Sequence, residues 1–400
     1  MRQMPEMRWK RKQVTRRDAY AGESWGRYCA NPQTMESGNM VELLIDGTQA
    51  YPAMLREIGG ARKTILMDSY IFNDDAVGRL FSSALCDAAG RGVLVYLIVD
   101  GVGTRGVSSD FFEQMRQAGL HVLVYRSPAP WRRSFGLLRR DHRKMLVVDG
   151  SVGFAGGINI GAEWLSRESG GLGWHDLHLR IEGPSVRELS KLAISTWYVN
   201  GGIMLDSKRF LPEIPKKGTE YVSIIGSRER KKRKVIRRSY LQAIRQARNY
   251  IYITNAYFLP DAGFRRAMKN ACRRGVDVRV MIPEKGDILI VDMASQAIYS
   301  RLLRAGIRIF LWKADVLHAK SATIDGEWAT VGSFNIDHRS WRMNLEVNVN
   351  ATGPNLSGKL RDLFLNDQAH CRELTLEEWG KRPFITKLFQ WFFHIFRNLM

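Results

Sequence analysis

Cysteine is scarce in this chain, and the few cysteines it has are scattered. The 400 residues include four of them, with no C-x-x-C pair. This pattern predicts neither a disulfide framework nor a zinc site, and it favours a reducing compartment. The four residues are Cys29, Cys86, Cys272 and Cys371.

Long apolar runs are missing as well. No window reaches the roughly 18 consecutive apolar residues that a membrane-spanning helix needs. The N-terminus is basic between Arg2 and Lys12, but no apolar stretch follows, so no secretory signal is expected. The sequence therefore predicts a protein without a membrane span.

Acidic residues are too few to balance the basic ones. Lys and Arg total 61 while Asp and Glu total 40, which gives a formal net charge of +21 and a pI near 10.0. A surplus of this size predicts a polyanionic partner, either nucleic acid or an anionic membrane surface, and charge alone does not choose between them. In other respects the composition is that of a globular protein, with 45% hydrophobic and 25% charged residues.

The chain contains an internal repeat. Short runs rich in Val and Ile, typical of buried strands, alternate with segments of helical spacing in the same order in both halves. The offset in sequence from Tyr70 to Tyr257 is the same as that from Gly119 to Gly306. A constant offset indicates duplication, and the alternation predicts two α/β halves with mainly parallel or mixed sheets. The paired strand-like runs are 65–72 with 251–261, 91–101 with 274–283, and 117–126 with 304–313.

The repeat divides the chain into four segments. Residues 1–39 show no periodicity, so we expect a loosely ordered basic tail there. The first half spans residues 40–205 and the second spans 206–375, with a linker near 200–220 that contains Gly, Pro and Lys. The last segment, 376–400, is dense in aromatic residues.

Each half carries one copy of the same polar motif. It has the form H-x-K, four residues, D, six residues, G-[GS]-x-N, and the two copies have identical spacings. They differ at one position, where Gly157 corresponds to Ser333, so only the second copy offers a hydroxyl. The polar motif residues are His142, Lys144, Asp149 and Asn159 in the first copy and His318, Lys320, Asp325, Ser333 and Asn335 in the second.

These residue types at this spacing suit a phosphodiester substrate. His142 and Lys144 are two apart on a predicted strand, and so are His318 and Lys320, so each pair points to one face. If the two copies meet, one cleft holds two imidazoles that can attack and protonate, with ammonium and amide groups for the phosphate oxygens. The sequence therefore predicts an active site at the interface of two halves related by a pseudo-twofold axis.

Two later carboxylates are candidates for orienting the histidines. Asp176 follows the first motif copy and Glu346 follows the second, each in a stretch of strand-like alternation. A carboxylate bonded to one ring nitrogen would set the tautomer of the imidazole and support its charged form. We therefore expect both carboxylates to lie beside the motif histidines.

The motif segments resemble a known superfamily. The segments HRKMLVVDGSVGFAGGIN (142–159) and HAKSATIDGEWATVGSFN (318–335) are similar to the paired motifs of the phospholipase D superfamily. The resemblance covers roughly residues 40–375, which implies tandem α/β/α halves of the phospholipase D type. Within it, ITNAYFLPD (253–261) and VGSFNIDHRSWRMNLE (331–346) resemble bacterial cardiolipin synthases, particularly the form without N-terminal membrane spans.

The resemblance implies a covalent phosphohistidine route that needs no metal or other cofactor. His142 would be the nucleophile, and His318 the acid that protonates the leaving alcohol and then deprotonates the incoming one. Asp149 and Asp325 belong to the motif but look more structural than catalytic. The phosphate would be held by Lys144, Lys320, Asn159 and Asn335, with Ser333 as an additional hydroxyl donor.

Three segments predict contact with lipid. Residues 127–141 mix aromatic and aliphatic residues with arginines just before the first motif, and residues 227–238 are strongly basic. Residues 383–400 are rich in aromatics with interspersed polar residues, which predicts a helix lying in the bilayer interface. Each segment also has an alternative interpretation. Residues 127–141 could form a nucleic-acid clamp, residues 227–238 could be a solvated run of charges, and residues 383–400 could form a helix that caps the core.

The expected function is that of a cardiolipin synthase-like transferase, peripheral on the cytoplasmic face of the inner membrane. It would take a phosphatidyl group from phosphatidylglycerol and pass it to a second phospholipid, with phosphatidylethanolamine as one candidate substrate. The expected partner is an anionic phospholipid membrane, with no obligatory protein partner. Nucleic acid is disfavoured because nuclease chemistry gives no reason for the aromatic C-terminal segment.

Other functions remain open on the sequence alone. The same chemistry with water as acceptor would be a phospholipase D that releases phosphatidic acid. A metal-independent phosphodiesterase or nuclease would use the same motif on another substrate class. A catalytically dead copy or a membrane-binding scaffold would retain the fold without turnover.

Overall fold

The computed structural model describes residues 24–127, 138–227 and 234–395. Much of the predicted interface segment 127–141 and half of the basic run 227–238 lie outside these ranges, as do residues 1–23 and 396–400. Within the described ranges, no helix combines the length and the apolarity needed to cross a bilayer.

Across the described ranges, fifteen strands make one continuous sheet. In the first half they are β1 (Glu36–Ile45), β2 (Thr64–Ser69), β3 (Leu94–Asp100), β4 (His121–Tyr125), β5 (Lys144–Val148), β6 (Val152–Gly156) and β7 (Leu177–Glu182). In the second half they are β8 (Glu220–Gly226), β9 (Tyr250–Asn255), β10 (Asp277–Pro283), β11 (Arg308–Trp312), β12 (Lys320–Ile324), β13 (Trp328–Gly332), β14 (Val347–Thr352) and β15 (Cys371–Leu374).

The helices fill the connections between these strands. The first half contains α1 (Asp46–Gly60), α2 (Ala76–Gly90), α3 (Ser109–Gln117) and α4 (Val186–Val199), with the short α5 (Ser207–Phe210) after it. The second half contains α6 (Val235–Gln246), α7 (Ala262–Arg273), α8 (Leu289–Gln296), α9 (Tyr299–Leu303), α10 (His338–Arg342), α11 (Pro354–Asp367), α12 (Leu376–Gly380) and α13 (Phe384–Ile395).

The strand order reflects the sequence repeat. Outward from the centre, the first half reads β1-β7-β6-β5-β2-β3-β4, and the second reads β8-β14-β13-β12-β9-β10-β11, with β15 added at its edge. The halves join where β1 pairs antiparallel with β8. The pairs β2–β3, β3–β4, β9–β10 and β10–β11 are parallel and the others are antiparallel. The predicted tandem α/β architecture with mixed sheets is therefore confirmed.

Helices cover both faces of the sheet, because its strands bury side chains on both sides. On β3, Tyr96 and Ile98 point into one apolar cluster, while Val95, Leu97 and Val99 point into another. The first cluster lies beneath α4 and α11 and runs across both halves. The opposite face has a separate cluster in each half, packed by α1 to α3 and by α6 and α7. Continuity of one core across β1 and β8 makes the two halves a single packed unit.

The prediction of a loosely ordered tail over residues 1–39 is wrong for residues 24–39. Ser24–Tyr28 forms a 3₁₀ turn whose Trp25 and Tyr28 are buried, and β1 already begins at Glu36. The hydroxyl of Tyr28 donates a hydrogen bond of 2.7 Å to Asp325. Sequence patterns could not indicate this, because a short turn anchored by two aromatic side chains has no hydrophobic period.

Candidate active site

The two motifs meet at the centre of the molecule. Lys144 is the first residue of β5 and Lys320 is the first residue of β12, so each motif histidine stands just before its strand. The backbone N–H of His142 donates to the carbonyl of Leu345 at 2.9 Å, and that of His318 donates to the carbonyl of His175 at 2.8 Å. Each histidine is therefore fixed by the backbone of the other half.

The two orienting carboxylates are also exchanged between the halves. Nδ1 of His142 lies 3.1 Å from Oε2 of Glu346, and Nδ1 of His318 lies 2.5 Å from Oδ2 of Asp176. Both pairs are buried. These contacts leave Nε2 of each ring for chemistry, and the two imidazoles are close enough for His318 to influence the pKa of His142. Neither half alone holds a complete histidine–carboxylate pair.

Different groups support the two carboxylates. The hydroxyl of Ser333 donates to Oε2 of Glu346 at 2.5 Å, and the amide of Asn344 donates to Oε1 at 3.3 Å. Asp176 instead accepts from the indole N–H of Trp164 at 3.1 Å and from the backbone N–H of Leu177 at 2.8 Å. Trp164 thus donates to Asp176 in the way that Ser333 donates to Glu346.

Gly157 occupies the position of Ser333 because Asp176 needs the space. A Cβ at residue 157 would stand 2.1 Å from Oδ1 of Asp176, much closer than real Cβ atoms approach a neighbour. The difference between the two motif copies is therefore a steric adaptation to the carboxylate beside it.

Both motif lysines are buried beside their histidines. Nζ of Lys144 donates to the carbonyl of His142 at 2.7 Å and lies 5.0 Å from the ring centroid of Tyr70. Nζ of Lys320 donates to the carbonyl of His318. Burial lowers the pKa of Lys144 to about 7 and that of Lys320 to about 8. A bound phosphodiester anion would favour the charged form of both.

The two histidine–carboxylate pairs differ electrostatically. Burial raises the pKa of Glu346 to about 8. Burial also acts to raise the pKa of Asp176, but the nearby Lys320 and His318 hold that pKa below its usual value. Burial lowers the pKa of His142 well below its usual value, and it lowers the pKa of His318 against the pull of Asp176. Of the two rings, His318 has the partner better able to stabilise an imidazolium.

The motif asparagines are buried at the same centre but are held differently. Oδ1 of Asn159 accepts a hydrogen bond of 3.0 Å from the backbone N–H of Ile71, which leaves its amide N–H groups as donors. Oδ1 of Asn335 is buried and accepts no hydrogen bond from the described residues. Both side chains remain candidates for phosphate contacts.

The motif aspartates hold turns in the backbone. The carboxylate of Asp149 accepts from three consecutive backbone N–H groups, at residues 62 to 64, at 2.7–2.9 Å. That of Asp325 accepts from the N–H groups of residues 248 to 250 at 2.7–2.8 Å. Both aspartates also have positive φ, 50° and 56°. Main-chain donors hold both carboxylates, with the Tyr28 hydroxyl added at Asp325, which is the geometry of a structural anchor.

Sequence reasoning missed the aromatic walls of the site. The ring of Tyr70 stands edge-on to His142 with 5.0 Å between centroids. Trp164 and Trp174 both lie 5.5 Å from His318. The tryptophans follow Asn159 closely in the first half, but nothing in their spacing pointed to the histidine of the second.

His175 also has a larger part than sequence reasoning gave it. Its Nδ1 lies 3.0 Å from Asp46 and its Nε2 lies 3.2 Å from Asp367, which belongs to the second half. Burial acts to lower the pKa of His175, but the two carboxylates raise it to about 10. The resulting imidazolium links the halves next to Asp176.

Metal ligands are not grouped in the part of the chain that the structure describes. No set of three or more His, Cys, Asp or Glu side chains there is placed to hold a metal ion.

Comparison with solved structures places the fold. A phosphatidylserine synthase from Haemophilus influenzae Rd KW20 superposes with a TM-score of 0.69 over 90% of this chain and 95% of that one, at 13% identity. A polyphosphate kinase from Porphyromonas gingivalis gives a TM-score of 0.54 over 82% of this chain and 50% of its own, at 14% identity. At such low identity, these likenesses concern the fold alone.

Sequence comparisons identify the family. The family model described as "Cardiolipin synthase, PLD-like domain" matches residues 54–169 and 240–368, one segment in each half. A cardiolipin synthase from Listeria innocua is 36% identical over 86% of this chain and 72% of its own length. One from Geobacillus thermodenitrificans is 33% identical over 86% of this chain and 69% of its own. The chain therefore belongs to the cardiolipin synthase family of phospholipase D-like domains and is an enzyme of the phospholipase D superfamily.

Proposed function

We propose that this enzyme makes cardiolipin by moving a phosphatidyl group from phosphatidylglycerol to a second phospholipid. The observation that carries the proposal is the exchange of carboxylates between the halves. Because Glu346 holds Nδ1 of His142 and Asp176 holds Nδ1 of His318, both rings keep Nε2 available for one phosphodiester. This is the arrangement that a two-step displacement at phosphorus requires.

In the first step, Nε2 of His142 attacks the phosphorus of phosphatidylglycerol. A P–N bond forms, the P–O bond to the headgroup glycerol breaks, and His318 gives its Nε2 proton to the leaving oxygen. The neutral form favoured at His142 supplies the lone pair, and the Asp176 carboxylate stabilises the imidazolium form of His318. Lys144, Lys320 and the amides of Asn159 and Asn335 neutralise the charge on the nonbridging oxygens.

In the second step, His318 takes the proton from a headgroup hydroxyl of the acceptor phospholipid. That oxygen attacks phosphorus, the P–N bond to His142 breaks, and the new diester leaves. With phosphatidylglycerol as acceptor, the product is cardiolipin. The aromatic rings of Tyr70, Trp164 and Trp174 line the histidines and reduce the water available for hydrolysis.

The identity of the donor and acceptor is tested by lipid mass spectrometry. Wild type is incubated with EDTA on phosphatidylglycerol vesicles, with and without phosphatidylethanolamine, beside His142→Ala. His121→Ala is the matched control because His121 is exposed on β4. Cardiolipin formation by wild type and His121→Ala, but not by His142→Ala, supports transfer. Phosphatidic acid without cardiolipin would make the enzyme a hydrolase, and the absence of any lipid product from wild type would refute the proposal.

We also propose that the enzyme acts as a peripheral protein on the cytoplasmic face of the inner membrane. The net charge of +21 favours an anionic leaflet. Extraction of membranes with high salt or alkaline carbonate should release it, whereas retention in the membrane pellet after carbonate would contradict a peripheral location.

A further inference from the structure

The outer face of α13 is apolar and exposed. Seven large apolar side chains on this helix are between 47% and 79% exposed. They are Phe384, Ile385, Leu388, Phe389, Trp391, Phe392 and Ile395. A helix that met only water on this side would carry polar residues there.

The inner face of the same helix is mixed, with Phe393 packed against the apolar core of the second half. Gln390 is 1% exposed, and its amide donates to Oε1 of Gln296 on α8 at 2.8 Å. Nδ1 of His394 lies 3.0 Å from the carbonyl oxygen of Ala294, also on α8. The helix is therefore attached to the protein through Phe393 and two polar contacts, while most of its apolar side chains face outward. A helix that only capped the core would turn most of its apolar side chains inward.

A second apolar element lies at the start of α8. Ile288, Leu289 and Ile290 are 44%, 71% and 47% exposed. The contacts of Gln296 with Gln390 and of Ala294 with His394 show that α8 and α13 run antiparallel. The start of α8 therefore lies towards the end of α13, and the three residues, which we call the α8 tip, continue from its exposed face.

The α8 tip follows a residue whose charge reaches the active site. Asp287, the residue before it, accepts a hydrogen bond of 2.7 Å from the hydroxyl of Tyr257, and its charge acts on Lys320. Asp292 closes the turn by accepting from the backbone N–H of Gly286 at 2.7 Å. A surface that the α8 tip contacts therefore lies on the side of the molecule from which the charge of Asp287 acts on Lys320.

The exposed set is larger than a soluble surface normally leaves to water. Ten large side chains about half exposed amount to an apolar surface on the order of 1000 Å², against a few hundred for a typical monomer. Exposed lysines stand beside it, Lys285 before the α8 tip and Lys387 on α13. Apolar side chains with cations beside them suit an anionic bilayer, and a chain with a net charge of +21 is poorly suited to pairing with its own copy.

We infer that the outer face of α13 and the α8 tip form one membrane-docking surface, which holds the mouth of the active site against an anionic phospholipid bilayer. The inference rests on the proposed function, since it explains how a buried catalytic centre reaches substrates that stay in a membrane. It adds the α8 tip, a part of the second half well before the C-terminal segment in sequence, to the surface that meets lipid.

Charged substitutions at exposed positions of the two elements test the docking surface. The variant Leu289→Asp/Trp391→Asp changes one residue in each element, and Leu289→Asp alone changes the α8 tip. Leu80→Asp is the matched control, since Leu80 is 54% exposed on α2 in the first half. Vesicle flotation on phosphatidylglycerol measures docking. Cardiolipin formation is measured on the same vesicles and on short-chain phosphatidylglycerol dissolved as monomers.

Docking predicts that the double variant loses vesicle binding and vesicle activity at least tenfold, and that Leu289→Asp loses part of both. Leu80→Asp should stay within twofold of wild type, and all variants should keep activity on the monomeric lipid. Unchanged vesicle flotation of the double variant overturns the inference. An equal loss of vesicle binding in Leu80→Asp also overturns it, as does a wild-type dimer that dissociates in the double variant. If wild type binds vesicles through this surface but makes no product from either lipid, the proposed function fails and the docking surface stands.

Discussion

Making the two motif copies alike should inactivate the enzyme. The substitution Gly157→Ser gives the first copy the residue that the second copy has at Ser333. The added Cβ would lie 2.1 Å from Oδ1 and 2.7 Å from Oδ2 of Asp176. The carboxylate has no room to turn away, because Trp164, Leu177 and His318 all bind it and it is fully buried.

The size of the effect follows from these distances. To reach an ordinary contact, Asp176 must move by about 1 Å, which stretches its 2.5 Å contact with His318 beyond a strong hydrogen bond. Losing the carboxylate that orients a catalytic imidazole costs roughly 10³- to 10⁴-fold in turnover. The crowding itself should lower the free energy of unfolding by about 1–3 kcal/mol.

The reciprocal substitution serves as control. Ser333→Gly removes one hydroxyl from Glu346, which keeps Asn344 and His142, and we expect a loss of roughly tenfold. The assay is the initial rate of cardiolipin formation, with thermal unfolding to establish that each variant is folded. A folded Gly157→Ser enzyme with turnover within about tenfold of wild type would refute the steric explanation of the motif difference.

The buried charges of the site lead to three further predictions. Burial lowers the pKa values of Lys144 and Lys320 to about 7 and 8, so both lose their positive charge as the pH rises through this range, and kcat/KM should fall with it. A fall that begins only near pH 10 would show that the two lysines keep ordinary pKa values. Lys144→Met removes a cation from the phosphate site, so the initial rate of cardiolipin formation should fall at least about 100-fold, and a rate within about tenfold of wild type would contradict that role. Asp325→Ala should instead lower the free energy of unfolding in urea by about 3–5 kcal/mol, because three backbone N–H groups and the Tyr28 hydroxyl lose their acceptor. A loss of activity without this destabilisation would show that Asp325 has a direct chemical role.

Local pattern was enough to predict much of this molecule. The Val- and Ile-rich runs such as 91–101 carry the buried strands, and their order with the helices gives the tandem α/β halves. The two motif copies could be paired because their spacing repeats. Both features lie within short stretches of chain, where side-chain alternation directly reports which faces are buried.

Contacts across the interface could not be predicted in the same way. Asp176 follows the first motif in sequence, yet it holds His318, and Glu346 holds His142. That exchange depends on how β1 and β8 join the halves, a pairing of segments distant in sequence that leaves no local period. The bridge of His175 to Asp367 escaped notice for the same reason. A buried histidine has one sequence signature whether it fills a core or links two halves.

The exchange of carboxylates makes the two halves depend on each other. One apolar cluster runs across both halves, and each motif histidine takes a backbone bond and a carboxylate from the opposite half. Either half expressed alone would present a histidine without its orienting partner. The duplication thus places two histidines in unequal surroundings, because Glu346 and Asp176 are supported by different groups.

Central to the proposed mechanism is that His142 carries the phosphatidyl group while His318 handles the protons. Intact-protein mass spectrometry of the wild-type enzyme, quenched within the first turnover after mixing with phosphatidylglycerol vesicles, tests it most directly, because the phosphatidyl-enzyme lies between the two proton transfers of His318. We predict a mass increase of one phosphatidyl group that maps to His142 and is absent from His142→Ala. An adduct on another residue, or turnover that persists in His142→Ala, would contradict the account.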